Sequence, residues 1–247
     1  MNGPGAEVVP GVHRLGTELV NCYLVEAEGE LVAVDAGLSG YRDLVEGQLR
    51  ALGRRPEDVR AVVLTHAHAD HTGLATWFRD AGARVLIPAG DEDLARRPRP
   101  QRTDALPFPY LRHGAARHLI WHFIRNGGLR PPRLDRLETF EDGDELDVPG
   151  RPRAIHTPGH TAGHCSVVFP SVGALFAGDL LCTRNPFTGR EGAQPMPRVF
   201  NVDTQQSVAS LARIEDVDAS VVLPGHGDPA HTSPGAAAAA ARAAGSS

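Results

Sequence analysis

A short segment of the chain, residues 65–71, is dense in side chains that bind metal ions. Its sequence, THAHADH, holds four possible ligands within six residues: His66, His68, Asp70 and His71. It directly follows Ala61–Leu64, an apolar run with the length of a buried strand. His66 and His68 are two residues apart and project to the same side of an extended chain, whereas Asp70 and His71 fall in the next turn. Two such pairs can serve two ions, and imidazole with carboxylate suits zinc or a similar first-row metal.

Three further candidate ligands follow other strand-like runs. They are His160 in TPGHTAGH, Asp179 in FAGD and His226 in LPGHG. A glycine beside each of them permits a tight turn and a close approach of the backbone. Spacing alone does not choose between His160 and His164, because both lie in the same segment. Together with the first segment, four strand ends are therefore expected to deliver ligands.

These seven residues, in their order, resemble the metal motif of the metallo-β-lactamase superfamily in its glyoxalase II-like form. The resemblance covers nearly the whole chain except residues 96–136. It implies an αβ/βα sandwich that holds two Zn²⁺ per chain, with Mn²⁺ or Fe²⁺ as alternatives. By the family pattern, the first metal is held by His66, His68 and His160, the second by Asp70, His71 and His226, and Asp179 bridges them. His164 is then expected to support the loop that carries His160.

The resemblance also implies an activity. We expect a dinuclear metal-dependent hydrolase that attacks a small ester, thioester or lactone with a metal-bound hydroxide, since two ions about 3.5–4 Å apart can share and acidify a water molecule. Asp70 is the candidate catalytic residue, because a carboxylate can orient the hydroxide and accept its proton. The alternatives are a phosphodiesterase or nuclease of the same fold, a persulfide dioxygenase and a non-enzymatic binding module. Cys182, close after Asp179, is interpreted as a packing residue.

Alternating strand-like and helix-like runs indicate an α/β (α+β) fold. Strands are predicted at Val8–Leu15, Val20–Ala27, Glu30–Val34, Ala61–Leu64, Arg84–Ile87, Glu145–Val148, Arg153–Thr157, Cys165–Phe169, Ala174–Ala177 and Ser220–Leu223. Helices are predicted at Tyr41–Leu52, Thr72–Ala81, Tyr110–Asn126 and Asp203–Ile214, and in the alanine-rich tail between the N-cap Ser233 and Gly245. This order fits two mixed β-sheets with helices on their outer faces, a four-layer sandwich. We expect residues 1–247 to form a single domain.

Residues 96–136 interrupt this pattern and are expected to form a helical insertion over the site. They contain ten arginines and two acidic residues, a local charge of +8, whereas the rest of the chain carries −13. We expect Trp121 or Phe123 to wall a substrate pocket, and Arg112, Arg117 and Arg125 to favour a small-molecule substrate with an anionic group. A solvated helix and a nucleic-acid surface are the alternatives to this lid. Nucleic acid is disfavoured because the basic charge is local.

The overall composition is that of an ordinary globular protein. The chain has 247 residues, of which 41% are hydrophobic and 22% charged, with a net charge of −5. No apolar run approaches the roughly 18 residues that a membrane span requires, so no membrane partner is expected. The sequence opens without the pattern of a secretory signal, and its three cysteines are widely spaced. We therefore expect a cytoplasmic protein without disulfide bonds, and the oligomeric state stays open.

Overall fold

The computed structural model describes residues 5–246, in which two main β-sheets and a separate hairpin form the frame. The strands are β1 (Glu7–Val9), β2 (Val12–Gly16), β3 (Asn21–Ala27), β4 (Glu30–Val34), β5 (Val59–Val63), β6 (Arg84–Pro88), β7 (Glu138–Phe140), β8 (Arg153–His156), β9 (Cys165–Phe169), β10 (Ala174–Gly178), β11 (Leu181–Arg184), β12 (Glu191–Pro195) and β13 (Val221–Pro224). The first sheet contains β1 to β7 in chain order, antiparallel up to β4 and parallel from β4 onward. The second sheet has the order β13-β10-β9-β8, and β11 pairs with β12.

Helices cover the outer faces of both sheets. The α-helices are α1 (Arg42–Ala51), α2 (Ala69–Thr72), α3 (Ala75–Asp80), α4 (Glu92–Arg96), α5 (Gly114–Arg125), α6 (Thr204–Ser210) and α7 (Pro234–Ala244). Short 3₁₀ helices lie at Ser39–Tyr41, Pro56–Asp58, Ala89–Asp91, Phe108–Arg112, Pro170–Val172, Arg198–Phe200 and Leu211–Ile214. As the sequence predicts, the side chain of Ser233 caps the alanine-rich α7 by accepting a hydrogen bond from the backbone N–H of Ala236. Within residues 5–246, no helix has both the length and the apolar character needed to cross a membrane.

The alternation of apolar side chains along the strands explains the layers. In β4, Leu31 and Ala33 belong to the core beneath α1 and α3, whereas Val32 and Val34 belong to the core between the two sheets. This is the two-residue period of a strand that is buried on both faces. On the far side of the second sheet, Leu175 packs with α7 and the 3₁₀ helix after α6. The order helix–sheet–sheet–helix confirms the predicted four-layer sandwich.

Most predicted elements are present, and the differences have local causes. The predicted strand Val8–Leu15 is divided into β1 and β2, because a tight turn with Gly11 at a φ of 78° reverses the chain. The predicted helix Thr72–Ala81 is likewise divided between α2 and α3. The prediction of a strand at Glu145–Val148 is wrong, since this segment forms only an isolated bridge between Glu145 and Arg153. The sequence does not predict β7, β11 and β12, which are short and have no clear alternating pattern.

The arginine-rich insertion packs against the rest of the fold at two points along α5. Helix α5 begins at Gly114, later than predicted, because a 3₁₀ helix precedes it. Its Ala116 and Leu119 form a small core with Phe187 and Val199 of the second half of the chain. Its end is fixed to the 3₁₀ helix at residues 39–41, where the Tyr41 Oη lies 2.6 Å from the Nε2 of His122. The insertion is therefore a packed part of the fold.

Candidate metal centre

The segment after β5 carries four of the candidate ligands. The chain leaves β5 through the fully buried Thr65 and His66 and enters α2, which contains Asp70 and His71. The Nε2 of His66 lies 3.1 Å from the Nδ1 of His68. The backbone carbonyl of His71 accepts a hydrogen bond of 2.7 Å from the chain just after β4, which fixes α2 against the first sheet. A strand end and one short helix thus orient both predicted pairs of ligands toward the same space.

The remaining candidates come from the second sheet. His160 lies in the loop between β8 and β9, Asp179 directly follows β10, and His226 follows β13. Because β10 and β13 are parallel neighbours, Asp179 and His226 leave the sheet at the same edge. A Cβ atom at Gly178, which has a φ of 54°, would lie 2.7 Å from the Nε2 of His164. Only glycine therefore lets β10 end so close to the histidine loop.

The structure brings all seven predicted side chains together. Their ligand atoms form three overlapping groups: His66, His68 and His160; His66, His71 and Asp179; and Asp70, His71 and His226. Asp179 lies between the first and the last group. Its Oδ2 is 3.3 Å from His160 Nε2 and 3.2 Å from His226 Nε2, and its Oδ1 is 3.4 Å from His71 Nε2. The first and the last group contain the residues that the family resemblance assigns to two metals, and Asp179 contacts members of both.

Each imidazole of the cluster has a partner for the ring nitrogen that points away from the centre. The partners are Thr65 Oγ1 for His66 (3.0 Å), Gln101 Oε1 for His68 (2.9 Å), Asp35 Oδ2 for His71 (2.8 Å), Asn201 Oδ1 for His160 (3.2 Å) and the carbonyl oxygen of Leu19 for His226 (2.5 Å). All five partners can accept a hydrogen bond from the outer N–H. A neutral imidazole has one N–H, so each inner nitrogen then presents a lone pair to the centre.

These lone pairs fit a pair of metal cations. The Nδ1 of His68 lies 2.8 Å from His160 Nε2 and 3.1 Å from His66 Nε2. With the N–H of each ring on its outer nitrogen, these three inner nitrogens are all acceptors, and none can donate a hydrogen bond to another. Within residues 5–246, the buried His71 Nε2 and Asp179 Oδ1 have no hydrogen-bond partner. Buried polar atoms of this kind need a compensating ligand. The donor set of imidazole and carboxylate fits zinc and similar ions.

The two halves of the cluster differ in the charge of their imidazoles. Burial lowers the pKa of His66 and of His160 well below the ordinary value, and neighbouring imidazoles add to this effect. Burial also acts to lower the pKa of His226, but Asp179 and Asp70 outweigh it and raise the pKa to about 10. The same competition, with Asp35 as the strongest opposing charge, raises the pKa of His71 well above its ordinary value. The half with the carboxylates therefore attracts positive charge, which protons or metal ions can supply.

The two central carboxyl groups are ionised at neutral pH. Burial acts to raise the pKa of Asp70, but His71 and His226 lower it to about 2. The pKa of Asp179 is also well below its ordinary value, because His226, His71 and His160 outweigh the effect of burial. Both groups are then available as ligands, and Asp70 can also accept a proton.

A cavity of about 400 Å³ opens directly over the cluster. Its floor is formed by His68, Asp70, His160, Asp179 and His226. Its walls are mostly apolar and include Leu94, Leu119, Phe123, Leu129, Met196, Val199 and Phe200. Much of the covering wall comes from the insertion, which confirms that it lies next to the site. Phe123 contributes as predicted, whereas the side chain of Trp121 is 55% exposed and is not part of the wall.

These positions bear on three interpretations made from the sequence. In the described part of the chain, the cavity wall contains Arg99 but not Arg112, Arg117 or Arg125, so the preference for an anionic substrate that the sequence assigns to those three stays a prediction. His164 supports the loop that carries His160 as expected, because its Nδ1 lies 2.9 Å from the Oγ1 of Thr157. Its Nε2 also accepts a hydrogen bond of 2.9 Å from the backbone N–H of Asp179. Cys182 is fully buried, and burial raises the pKa of its thiol, in agreement with a packing role.

Sequence reasoning missed the residues that orient the ligands. Asp35 accepts hydrogen bonds from both the backbone N–H (2.8 Å) and the hydroxyl of Thr65, besides contacting His71. Asp91 is buried and accepts from the backbone N–H groups of Ala67 and Gly163, so it joins the two loops that carry His68 and His160. Asp35 and Asp91 lie just after β4 and β6, and this position at strand ends was the sequence signal that could have identified them as residues that orient the ligands.

Comparisons with known proteins agree with this geometry. Residues 15–226 match the metallo-β-lactamase superfamily, and the chain belongs to that superfamily, whose members are mostly metal-dependent hydrolases. The protein YobT of Bacillus subtilis (strain 168) is 31% identical over 217 residues, covering 84% of this chain and 83% of that protein. The probable metallo-hydrolase YflN of the same organism is 26% identical over 245 residues, covering 92% and 88%.

A solved structure and two enzymes extend the comparison. The crystal structure of a metallo-β-lactamase family protein from Thermus thermophilus is similar with a TM-score of 0.68 and 27% identity, covering 94% of this chain and 78% of that one. An N-acyl homoserine lactonase from a Bacillus species is 24% identical, covering 83% of this chain and 80% of the enzyme. A hydroxyacylglutathione hydrolase from Alkalilimnicola ehrlichii is 30% identical, covering 76% and 54%.

Proposed function

We propose that this protein is a dinuclear metal-dependent hydrolase that cleaves a small ester, thioester or lactone with an apolar acyl group. The observation that carries this proposal is the apolar cavity whose floor is the cluster of imidazoles and carboxylates. Such a cavity can bind an acyl chain while its scissile carbonyl group rests against the cluster. The names of the lactonase and the hydroxyacylglutathione hydrolase among the relatives support a hydrolytic reaction.

The donor set supports two zinc ions, with Mn²⁺ or Fe²⁺ as alternatives. The first ion would be held by His66, His68 and His160, and the second by Asp70, His71 and His226, with Asp179 between them. When bound, the ions polarise the substrate carbonyl group and lower the pKa of a water molecule.

Asp70 is the residue that we assign to proton transfer. Its carboxylate belongs both to the cluster and to the cavity floor, and its Oδ2 lies 3.4 Å from the Nε2 of His226. Because its pKa is lowered to about 2, it is ionised at neutral pH and can orient an attacking water molecule by accepting a hydrogen bond from it. So weak a base would accept the proton only from a water molecule that bound metal ions had made more acidic. The apolar walls, for example Leu119 and Phe123, exclude bulk water and hold the acyl group.

The charge of the cavity favours an acyl group over a phosphodiester. Arg99 is the one insertion arginine in the wall of this cavity within residues 5–246, and its guanidinium lies 2.8 Å from the carboxylate of Asp93. Apart from the proposed metal ions, which would themselves attract a phosphate, the cavity wall therefore adds little positive charge for binding a phosphodiester. A small anionic substituent on the substrate would contact Arg99. The phosphodiesterase alternative is one of the outcomes of the substrate panel described next.

A panel of substrates tests the proposal. The zinc-loaded protein is assayed with p-nitrophenyl acetate, butyrate and hexanoate, an acyl thioester, a γ-lactone and bis-p-nitrophenyl phosphate. We expect kcat/KM to rise along the ester series by up to about fourfold per methylene, because each buried methylene contributes about 0.8 kcal/mol. Faster cleavage of the phosphodiester than of every acyl substrate would show that the proposal is wrong.

Two variants on the same helix localise the effect. Phe123→Ala removes part of the cavity wall and is expected to flatten the dependence on acyl length. Ile124→Ala is the matched control, because Ile124 lies next to it on α5 with a side chain that is 57% exposed. An equal loss of chain-length dependence in both variants would contradict acyl binding in this cavity.

A further inference from the structure

One contact to the cluster comes from the insertion. The outer nitrogens of four imidazoles are held by residues of the sandwich and its adjoining loops, whereas His68 Nε2 contacts Gln101 Oε1 at 2.9 Å. Gln101 lies between α4 and α5, in the segment that covers the cavity. Gln101 is 33 residues away from His68 in the sequence. A residue of the covering segment therefore bonds directly to a candidate ligand.

The chemistry of this bond fixes the state of the imidazole. The side-chain carbonyl oxygen of Gln101, rather than its NH₂ group, faces the ring, and this oxygen can only accept a hydrogen bond, so this orientation pairs with the His68 tautomer that carries its N–H on Nε2. The lone pair is then on Nδ1, which is the atom that lies 2.8 Å from His160 Nε2 and 3.1 Å from His66 Nε2. The opposite tautomer would place a proton on Nδ1 and would prevent it from binding a metal.

His68 depends on its partner more than the other two ligands of its group. His66 and His160 are 0% and 1% exposed, so packing holds their rings. His68 is only partly buried and lines the cavity. Water can compete for its nitrogens and can allow the ring to turn, unless a fixed acceptor holds it.

The covering segment is attached to the rest of the fold on both sides of Gln101, and its backbone N–H at Asp104 donates a hydrogen bond of 3.0 Å to the carbonyl of Asn201. Between α4 and α5, Asp104 is tied to the chain before α6, since its carboxylate accepts a hydrogen bond of 2.6 Å from the backbone N–H of Thr204. At the other end, Arg99 pairs with Asp93. Pro98 and Pro100 flank Arg99 and stiffen the backbone on the N-terminal side of Gln101. The bond between Gln101 and His68 is thus the point where this stiff segment meets the cluster.

We propose that Gln101 is a positioning residue that holds His68 in its ligating tautomer and thereby couples metal binding to closure of the segment 97–107 over the cavity. This role rests on the proposed metal centre and is independent of which substrate is cleaved. Coupling of this kind is reciprocal: a bound metal stabilises the closed segment, and the closed segment retains the metal.

Three variants separate the hydrogen bond from packing. Gln101→Met keeps the length of the side chain but removes the acceptor, whereas Gln101→Glu keeps an acceptor. Thr103→Val is the control, because Thr103 also lines the cavity while its hydroxyl, among the residues that the structure describes, bonds to the nearby carbonyl of Ala105 and to no candidate ligand. Zinc affinity is measured by competition with a chromophoric chelator. We expect Gln101→Met to bind one of the two ions about 10–100-fold more weakly, and the other two variants to bind both ions as the wild type does.

Two structural measurements complete the test. Hydrogen exchange of residues 97–107 is expected to slow when zinc is added to the wild type, and to change little in Gln101→Met. In the metal-free protein, nitrogen NMR is expected to show the Nε2–H tautomer of His68 in the wild type and a mixture in Gln101→Met.

The outcomes are distinguishable. Wild-type zinc affinity in Gln101→Met, or equal weakening in Gln101→Met and Gln101→Glu, would overturn the role of the acceptor. Exchange that is insensitive to zinc in the wild type would overturn the coupling. A wild-type protein that binds no metal would refute the metal centre itself, and this is seen before any variant is measured.

Discussion

Gly225, beside His226, is the position where one added methyl group tests the geometry of the cluster most directly. A Cβ atom at this position would lie 2.7 Å from the Cε1 of His71 and closer still to the Oδ1 of Asp179. Real Cβ atoms essentially never approach other heavy atoms to under 3.0 Å. The φ of Gly225 is not in the left-handed region, so alanine adds a steric conflict with two candidate ligands without backbone strain.

The size of the expected effect follows from these distances. His71 must move by at least about 0.3 Å, which exceeds the ~0.2 Å tolerance of metal–ligand distances, and Asp179 must move further. Overpacking of this kind costs about 1–3 kcal/mol, which lowers the Tm of a chain of this size by about 2–12 °C. If the affinity for the second ion falls 100-fold, the stabilisation by metal falls by a further 2.7 kcal/mol or so at metal concentrations well above the dissociation constant.

The assay compares Gly225→Ala with the wild type by metal analysis and by thermal melts with and without zinc. We expect the variant to hold close to one ion per chain and to gain less Tm from zinc than the wild type gains. Gly47→Ala is the control, since Gly47 lies on the exposed side of α1 with no heavy atom within 4 Å of the added Cβ. Because alanine favours a helix over glycine by up to about 1 kcal/mol, that change is expected to raise the free energy of unfolding, and with it the Tm, slightly. It is expected to leave metal binding unchanged. A Gly225→Ala variant with two ions and an unchanged response to zinc would refute the close packing of Asp179 and His71.

Three further results are expected. Asp179→Ala should lower the metal content from two ions toward one, because Asp179 lies between both groups; retention of both ions would show that it does not bridge them. The metal-free protein should lose stability as the pH rises from 6.5 to about 10, because the raised pKa of His226 adds stability that is complete below 6.5 and lost at about 10. At the acid end, the lowered pKa of Asp70 adds stability above 3.8 that is lost as the pH falls to about 2. Thermal melts without metal check both limits, and a Tm that rises between pH 7 and 9 would contradict the first. Replacing Arg112, Arg117 and Arg125 together by Gln should leave KM for an anionic ester unchanged, since they lie outside the cavity wall; a clear rise in KM would restore the original prediction.

The candidate ligands were predictable from the sequence, but most of their partners were not. Each ligand follows an apolar run that ends in a turn, so the strand pattern and the residue types together indicate its place. Asn201 and Gln101 are single polar residues in irregular segments without any motif. Their contacts with His160 and His68 span 41 and 33 residues of sequence and depend on how separate loops fold against each other.

The insertion shows a second limit of the sequence. Its composition correctly indicated a covering segment with apolar and aromatic contacts to the site. Composition alone could not decide which of the two, Trp121 or Phe123, faces the cavity. On α5, Leu119 and Phe123 are four residues apart and share the inner face, whereas Trp121 lies on the outer face with Arg125 stacked 5.3 Å from its ring. Helical phase, rather than aromatic content, decides this orientation.

The two parts of the site are therefore encoded in different parts of the chain. The candidate ligands come from strand ends of the two-sheet frame, where parallel neighbours and buried carboxylates hold them. Most of the cavity wall comes from residues 94–131 and 196–200, which lie outside that frame. Changes in these segments can alter the choice of substrate while the metal chemistry stays intact. Gln101 is the exception, because it belongs to the covering segment and also bonds to His68, so a change there would act on recognition and on metal binding together.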